Sequence, residues 1–286
     1  MNPRNNTEII VCPYCSTSEN EPWAKENGFV AVKCIKCKIV YVNPRPLRSL
    51  IDEAVETGVH RNVEHNRTAI DHRVDSKVKL YKNIFASLFY DVWNDKKKIS
   101  WLDVGAGYGE IVEAISALSY PGSLIVGLEP MEPKATHAQN RDLKVHQKYL
   151  REINTKYNYV SLINVFSHIP DFRIFLEDIK NVLLDDGEFF LETGNIGDLD
   201  SSNEFPGELD LPDHLVFAGE KHIIGFLSEA GFSIVKIKRI RKDGIINFLK
   251  NIIKKIIGRK VALKIPYTSK YRSILIRAKL SHINEE

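Results

Sequence analysis

The sequence predicts a doubly wound α/β domain with a small cysteine-bearing module in front of it. From Ile99 onward, short apolar runs alternate with stretches of helical periodicity, the pattern of a mostly parallel sheet covered on both faces. The first of these runs ends in a glycine-rich turn. All four cysteines fall in the first 37 residues. At 286 residues the chain is long enough for one large core and a small appended unit.

The divisions follow from composition. Residues 1–46 hold the cysteines and end in Asn43-Pro44-Arg45-Pro46, which neither a helix interior nor a central strand accepts. Residues 47–95 read as a helical connector. Val78, Tyr81, Ile84, Phe85, Leu88 and Phe89 form one apolar helical face there, suited to pack on the α/β domain. Residues 96–286 form that domain. Its expected strands are 99–104, 124–128, 159–165 and 188–192, with helices over 109–118, 131–140, 171–183 and 219–230. A run at 271–278 reads as a last, antiparallel seventh strand.

Net charge is +3, and 27% charged with 43% hydrophobic residues is ordinary for a soluble chain. The charge is unevenly placed. Between Lys238 and Arg272 twelve Lys and Arg face one acid, Asp243, so the remainder carries a net −8. No stretch reaches the roughly 18 apolar residues of a membrane span, and the first seven residues are polar. The expected location is the cytoplasm.

Cys12-x-x-Cys15 and Cys34-x-x-Cys37 are separated by eighteen residues, the spacing of a zinc ribbon. Four protein thiolates leave no open position, so the expected Zn²⁺ is structural. The competing redox dithiol needs one pair in a thioredoxin-like context that is missing here.

The strand ending in Asp103-Val104 runs into Gly105-Ala106-Gly107-Tyr108-Gly109. Glycine lets a ligand approach the backbone where a strand turns into a helix. A dinucleotide fingerprint would place a third glycine at Glu110, and a carboxylate there repels a pyrophosphate. With Asp103 two residues ahead of Gly105, the loop suits a ligand bearing cationic groups and no phosphate. Glu129 ends the next strand and can accept both hydroxyl protons of a ribose. Pro130 and Met131 come next and can cover a base.

These residues resemble class I S-adenosylmethionine-dependent methyltransferases, with a Rossmann-like seven-stranded sheet. Asp103 to Gly109 is similar to their first motif and Glu129 to their ribose-binding acid. The strand Val160–Val165 and the loop Phe166–Asp171 are similar to their fourth strand and its loop, and Leu183–Glu188 to the turn into their fifth. The resemblance spans roughly residues 75–240. It implies S-adenosylmethionine as cofactor, bound by Asp103, Gly105, Ala106, Gly107, Gly109, Glu129, Pro130 and Asn164, with Asp103, Gly105 and Asn164 at its amino-acid end.

The segment Cys34 to Pro46 resembles the N-terminal zinc module of methyltransferases that act with sugar-nucleotide and surface-polysaccharide enzymes. Asp213-His214-Leu215-Val216-Phe217 is similar to their Glu-His-Leu-x-x-Phe stretch. Relatives that methylate deoxysugar carbons carry a long C-terminal domain for which this chain lacks room, so the expectation is O-methylation of a sugar, sugar nucleotide or polysaccharide precursor. Carbon methylation and RNA modification are the alternatives. A hydroxyl acceptor needs a general base, and His214, with Asp213 beside it, is the first candidate. His168, in the loop after the fourth strand, is the second. No role is assigned to the remaining histidines, His222 among them.

Residues 244–258 read as a basic amphipathic helix. Asp243 can cap its start and Gly258 stop it. Packing of its apolar face on the chain's own core or on a second subunit is the commoner arrangement. Peripheral contact with the inner face of a membrane is the other. Few aromatics interleave the basic residues, which argues against nucleic acid as their partner.

Overall fold

The computed structural model describes residues 6–59, 74–205, 207–241, 245–258 and 270–281. The cap expected at Asp243 lies outside them. The N-terminal part contains β1 (Thr7–Glu8), β2 (Asn20–Glu26), β3 (Phe29–Cys34), β4 (Val40–Val42) and β5 (Arg45–Pro46), then α1 (Arg48–Thr57), α2 (Val74–Leu88) and α3 (Tyr90–Asn94). The α/β part comprises β6 (Ser100–Val104), α4 (Glu110–Ser116), β7 (Leu124–Leu128), α5 (Glu132–Gln139), β8 (Val145–His146), β9 (Tyr157–Ile163), α6 (Phe172–Asn181), β10 (Leu183–Gly194), β11 (Val216–Phe217), α7 (Glu220–Glu229), β12 (Phe232–Ile240), α8 (Ile245–Ile256) and β13 (Ser273–Leu280).

Seven strands form one sheet in the order β12-β13-β10-β9-β6-β7-β8. The pairs β6–β7, β6–β9, β7–β8 and β9–β10 are parallel. β13 runs antiparallel to both β10 and β12, so the last strand is inserted between two others and does not close an edge. β12 and β8 are not among the expected strands. β12 is an edge strand with much of its length half-exposed, and its polar–apolar alternation (Phe232-Ser-Ile-Val-Lys-Ile-Lys-Arg-Ile240) lacks a continuous apolar run. β8 is only two residues long.

The apolar face of α2 packs on the sheet. Phe85 and the nearby Phe89 bring their rings within 5.5 and 4.9 Å of Trp101, and Phe85 lies 5.3 Å from Phe190. Each such fully buried ring stabilises the fold by about 1.5–3 kcal/mol. Trp101 donates its indole N–H to Ser161 Oγ at 2.9 Å, so this aromatic core leaves no orphan there.

The cysteine module shares its structure with the α/β part. β11, which lies beyond the main sheet, pairs antiparallel with β4 and completes the order β11-β4-β3-β2. Cys12, Val32, Cys34, Ile39 and Tyr41 belong to the same apolar core as Leu215, Val216, Ile223 and Phe226. Arg173 of α6 donates to the carbonyls of Pro13 and Tyr14, each at 2.7 Å. His222, buried on α7, donates from Nε2 to the Cys37 carbonyl at 2.8 Å and accepts the Gly219 N–H on Nδ1. The residue left without a role in the sequence therefore ties the two parts together.

Candidate active site

A cavity of about 940 Å³ opens at the carboxyl ends of β6, β7 and β9, where ligands bind in open α/β sheets. Its floor is the turn after β6. Gly105 sits at φ +73°, and a Cβ there would come within 2.4 Å of Val165 Cγ2. Both strain and space therefore demand glycine.

Glu129 directly follows β7, is buried, and lines the cavity. Its Oε2 accepts the Gly107 N–H at 2.8 Å and its Oε1 the Met131 N–H at 3.0 Å. These bonds fix the carboxylate and leave each oxygen a further lone pair for a ligand hydroxyl. Gly105, Ala106, Gly107, Pro130, Met131 and Asn164 also line the cavity. Gly109 does not.

Asp103 departs from the expectation. It is buried beneath the turn, is absent from the cavity wall, and accepts a 2.5 Å hydrogen bond from Ser161 Oγ on Oδ1. Its Oδ2 has no hydrogen-bond partner among the described residues. Burial pushes its pKa up to about 8, with the carboxylates of Glu110 and Glu129 adding to the rise. Lys77 of α2 answers part of this charge with an ion pair to Glu110 at 3.6 Å. The concentration of acid beside the turn suits a cationic ligand, and the donor set fits S-adenosylmethionine: a buried, anchored carboxylate for the ribose and a negative field beside the turn for the sulfonium and ammonium groups.

The connector helices supply walls the sequence did not reveal. Ile51, Ala54 and Val55 of α1 and Tyr81 of α2 line the cavity. Asn164, at φ +57°, donates from Nδ2 to Tyr81 Oη at 3.0 Å. Burial pushes the Tyr81 hydroxyl up, reinforced by the nearby Glu192 carboxylate. Tyr81 reads as a core residue in the sequence because its helical spacing is the same for both roles.

At the other end, the structure brings His168, Asp213 and His214 together. His168 lines the cavity with Asp213, whereas His214 does not. His168 Nδ1 lies 2.9 Å from the Asp213 carbonyl and 3.3 Å from its Oδ1. With Nδ1–H donating there, Nε2 carries the lone pair. His214 stacks edge-on behind it, ring centroids 4.6 Å apart, and donates from Nδ1 to the Leu209 carbonyl at 2.7 Å. Burial lowers the pKa of His168, but the hydrogen bond to Asp213 and its charge more than offset this, and the net shift is upward. His214 shifts downward, through burial and then the neighbouring His168 charge.

The loop carrying Asp213 is held from the cysteine module. Glu26 accepts the N–H groups of Leu209 and Leu211 at 2.8 and 3.2 Å, and Asn27 Nδ2 donates to the Leu211 carbonyl at 2.7 Å. Val42 N–H donates to the Leu215 carbonyl, and Leu215 N–H to that of Ser167. No local signal marks Glu26 or Asn27, since their partners lie more than 180 positions away.

The four thiols converge. Cys12 and Cys37 Sγ are 3.5 Å apart, Cys15 and Cys34 Sγ 3.6 Å, and no disulfide joins any of them. A tetrahedron with metal–sulfur bonds near 2.3 Å has edges of about 3.8 Å. The Cys15 and Cys37 N–H groups point at Cys12 and Cys34 Sγ, at 3.5 and 3.4 Å, as in thiolate-binding turns. The residues present suit a closed four-thiolate metal site.

Residues 71–237 match the model of a family described as a methyltransferase domain. No curated protein matches the sequence. Among solved structures, the PH0226 protein from Pyrococcus horikoshii OT3 is similar with a TM-score of 0.50 at 12% identity, covering 74% of this chain and 92% of that one. A Leishmania major S-adenosylmethionine-dependent methyltransferase has a TM-score of 0.48 at 17% identity, over 73% of this chain and 74% of that one. The O-methyltransferase of a Brevibacillus brevis trans-AT polyketide synthase, solved with S-adenosyl-L-homocysteine, has 0.49 at 17%, over 72% and 73%. The family match covers more than half of the sequence, on the segment that builds most of the sheet and the glycine turn, and the chain belongs to the class I S-adenosylmethionine-dependent methyltransferases.

Proposed function

We propose that this enzyme methylates an oxygen of a sugar-type acceptor, with His168 as general base and Asp213 as the group that orients it. The observation that carries the reading is the His168 ring: on the cavity wall, Nδ1 bound to Asp213, Nε2 left to accept a proton. When bound, the cofactor supplies a methyl group on a sulfonium leaving group. The protein then has to position a hydroxyl in line and take its proton. Nε2 of His168 accepts that proton, and Asp213 stabilises the resulting imidazolium. His214 backs the ring and pins the loop through Leu209, a positioning role.

Asp171, Asp178, Glu208, Asp210 and Asp213 lie along the acceptor side of the cavity. Carboxylates accept hydroxyl protons, which suits a polyol. The similarity of Asp213–Phe217 and of the cysteine module to sugar-modifying methyltransferases supports the same class. In this reading Cys12, Cys15, Cys34 and Cys37 hold one structural Zn²⁺ that braces the loop. Transfer of labelled methyl from S-adenosylmethionine to a panel of sugars, sugar nucleotides, small amines and RNA tests the acceptor. Label on amines or RNA alone overturns the reading.

A further inference from the structure

Among the described residues, α8 presents a run of exposed apolar side chains. Leu249, Ile253, Ile256 and the adjoining Ile257 are between 52 and 79% exposed, whereas Phe248 and Ile252 along one margin are half-buried. The expected burial of this face on the chain's own core does not occur at those four residues. On a helical wheel the exposed four fall on one arc, with Lys250 and then Lys254 along one border and the half-buried Ile252 and Phe248 along the other, beyond which stands Lys255. No acid lies between Ile245 and Gly258.

Topology places this helix at the working edge of the sheet. β12 is antiparallel to β13, which is antiparallel to β10, so β12 ends at the same edge as the strands whose carboxyl ends form the cavity. α8 follows β12 there. The chain returns to that edge at Tyr271, whose ring meets Phe205 at 4.9 Å, while Asn195 bonds the Lys270 carbonyl and the Arg272 N–H. Tyr271 shares its apolar cluster with Leu209 and Leu211, in the loop that lines the acceptor side. An exposed apolar stripe flanked along one side by lysines, on a helix lacking acids, is complementary to the headgroup layer of an anionic bilayer. A second copy of the chain would meet the same lysines with its own, like charge against like.

We propose that α8 docks the enzyme on anionic phospholipid membranes and so turns the edge that bears the cavity toward the bilayer. The acceptor is then an amphiphile, a hydroxyl-rich head on a lipid anchor; this clause rests on the proposed reaction, the docking does not. No helix of the described residues is long and apolar enough to cross a membrane, so attachment is peripheral.

The test is sedimentation of the full chain with phosphatidylcholine–phosphatidylglycerol vesicles, against phosphatidylcholine alone, across a salt series. The expected result is binding to the anionic vesicles only, lost as salt rises, and reduced at least about tenfold by Ile253→Asp with Ile256→Asp. Both side chains are exposed, so the double variant should keep the melting temperature and S-adenosylmethionine affinity of the parent. No binding at low salt overturns the proposal. So does a double variant that binds as well as the parent, since basic charge alone would then explain retention on any polyanion. A parent dimer that the variant converts to monomer, with neither touching vesicles, assigns the face to a second copy. Label from S-adenosylmethionine should enter the organic-soluble lipid of a membrane extract. Label confined to water-soluble sugars overturns the amphiphile clause, and label nowhere overturns the proposed reaction while leaving vesicle binding standing.

Discussion

The two ends of the cavity are built in different ways. The cofactor end consists of turns that directly follow strands: Gly105–Gly107 after β6, Glu129–Met131 after β7, Asn164 after β9. Its main hydrogen bonds, Glu129 to Gly107 and Met131, join residues no more than 22 positions apart. The acceptor end is a long excursion between β10 and α7, whose loop takes its shape from Glu26, Asn27 and β4, more than 170 positions earlier. One end is held by the sheet that carries it; the other is held by the cysteine module, in which four thiols converge. Damage to the module should therefore reach acceptor chemistry first.

The sharpest way to break this contrast is at the base. His168→Ala should lower kcat by about 10²–10⁴-fold with cofactor affinity unchanged. His214→Ala should cost less, through a looser loop. In the parent, turnover should rise with pH through a value above the ordinary histidine pKa near 6.5, because the net shift of His168 is upward and the base works only when deprotonated. Near-normal turnover of the His168 variant, measured at saturating cofactor, would return the role to His214.

Metal removal is the next test. Chelation, or Cys34→Ser, should abolish acceptor turnover while calorimetry still detects S-adenosylmethionine, though more weakly and with a lower melting temperature, because the module shares a core with β11 and α7. Elemental analysis should find one zinc per chain. Equal loss of cofactor binding and turnover would mean that the two ends are one cooperative unit.

Glu129→Ala should weaken S-adenosylmethionine binding by about 1–3 kcal/mol, read by calorimetry, since it leaves the ribose hydroxyls and two backbone N–H groups without partners. Acceptor KM should hardly move. If KM moves as much as the cofactor Kd, the separation between the ends is not real.

The smallest effect concerns Asp103. Its folded pKa, near 8, is above the ordinary carboxylate value, so its favourable contribution is complete below about pH 4 and is lost as pH rises through 8. In the cofactor-free protein, Asp103→Asn should therefore match the parent in acid and exceed it in melting temperature near pH 8–9, by about 2–4 °C for each kcal/mol recovered. The same variant should bind the cationic cofactor less well. A melting difference independent of pH would mean that the buried carboxyl does not titrate.

The glycine turn, Glu129 and the paired cysteines were legible because each motif is contiguous and its chemistry needs those residue types at that spacing. The strands at 99–104, 124–128 and 188–192 were legible because strands covered on both faces carry short, mainly apolar runs. β12 and β8 were not, the one half-exposed and alternating, the other two residues long. Asp213, His214 and His168 could be picked out as candidates, yet which histidine faces the cavity is set by the fold of the excursion, and that fold is dictated by Glu26, Asn27 and β4. Tyr81 joined the wall only once α2 had docked on Trp101 and Phe190. Motif chemistry is local and can be read along the chain, whereas burial, the direction of a ring nitrogen and the resulting pKa depend on groups brought together from distant positions, and only the tertiary structure decides those.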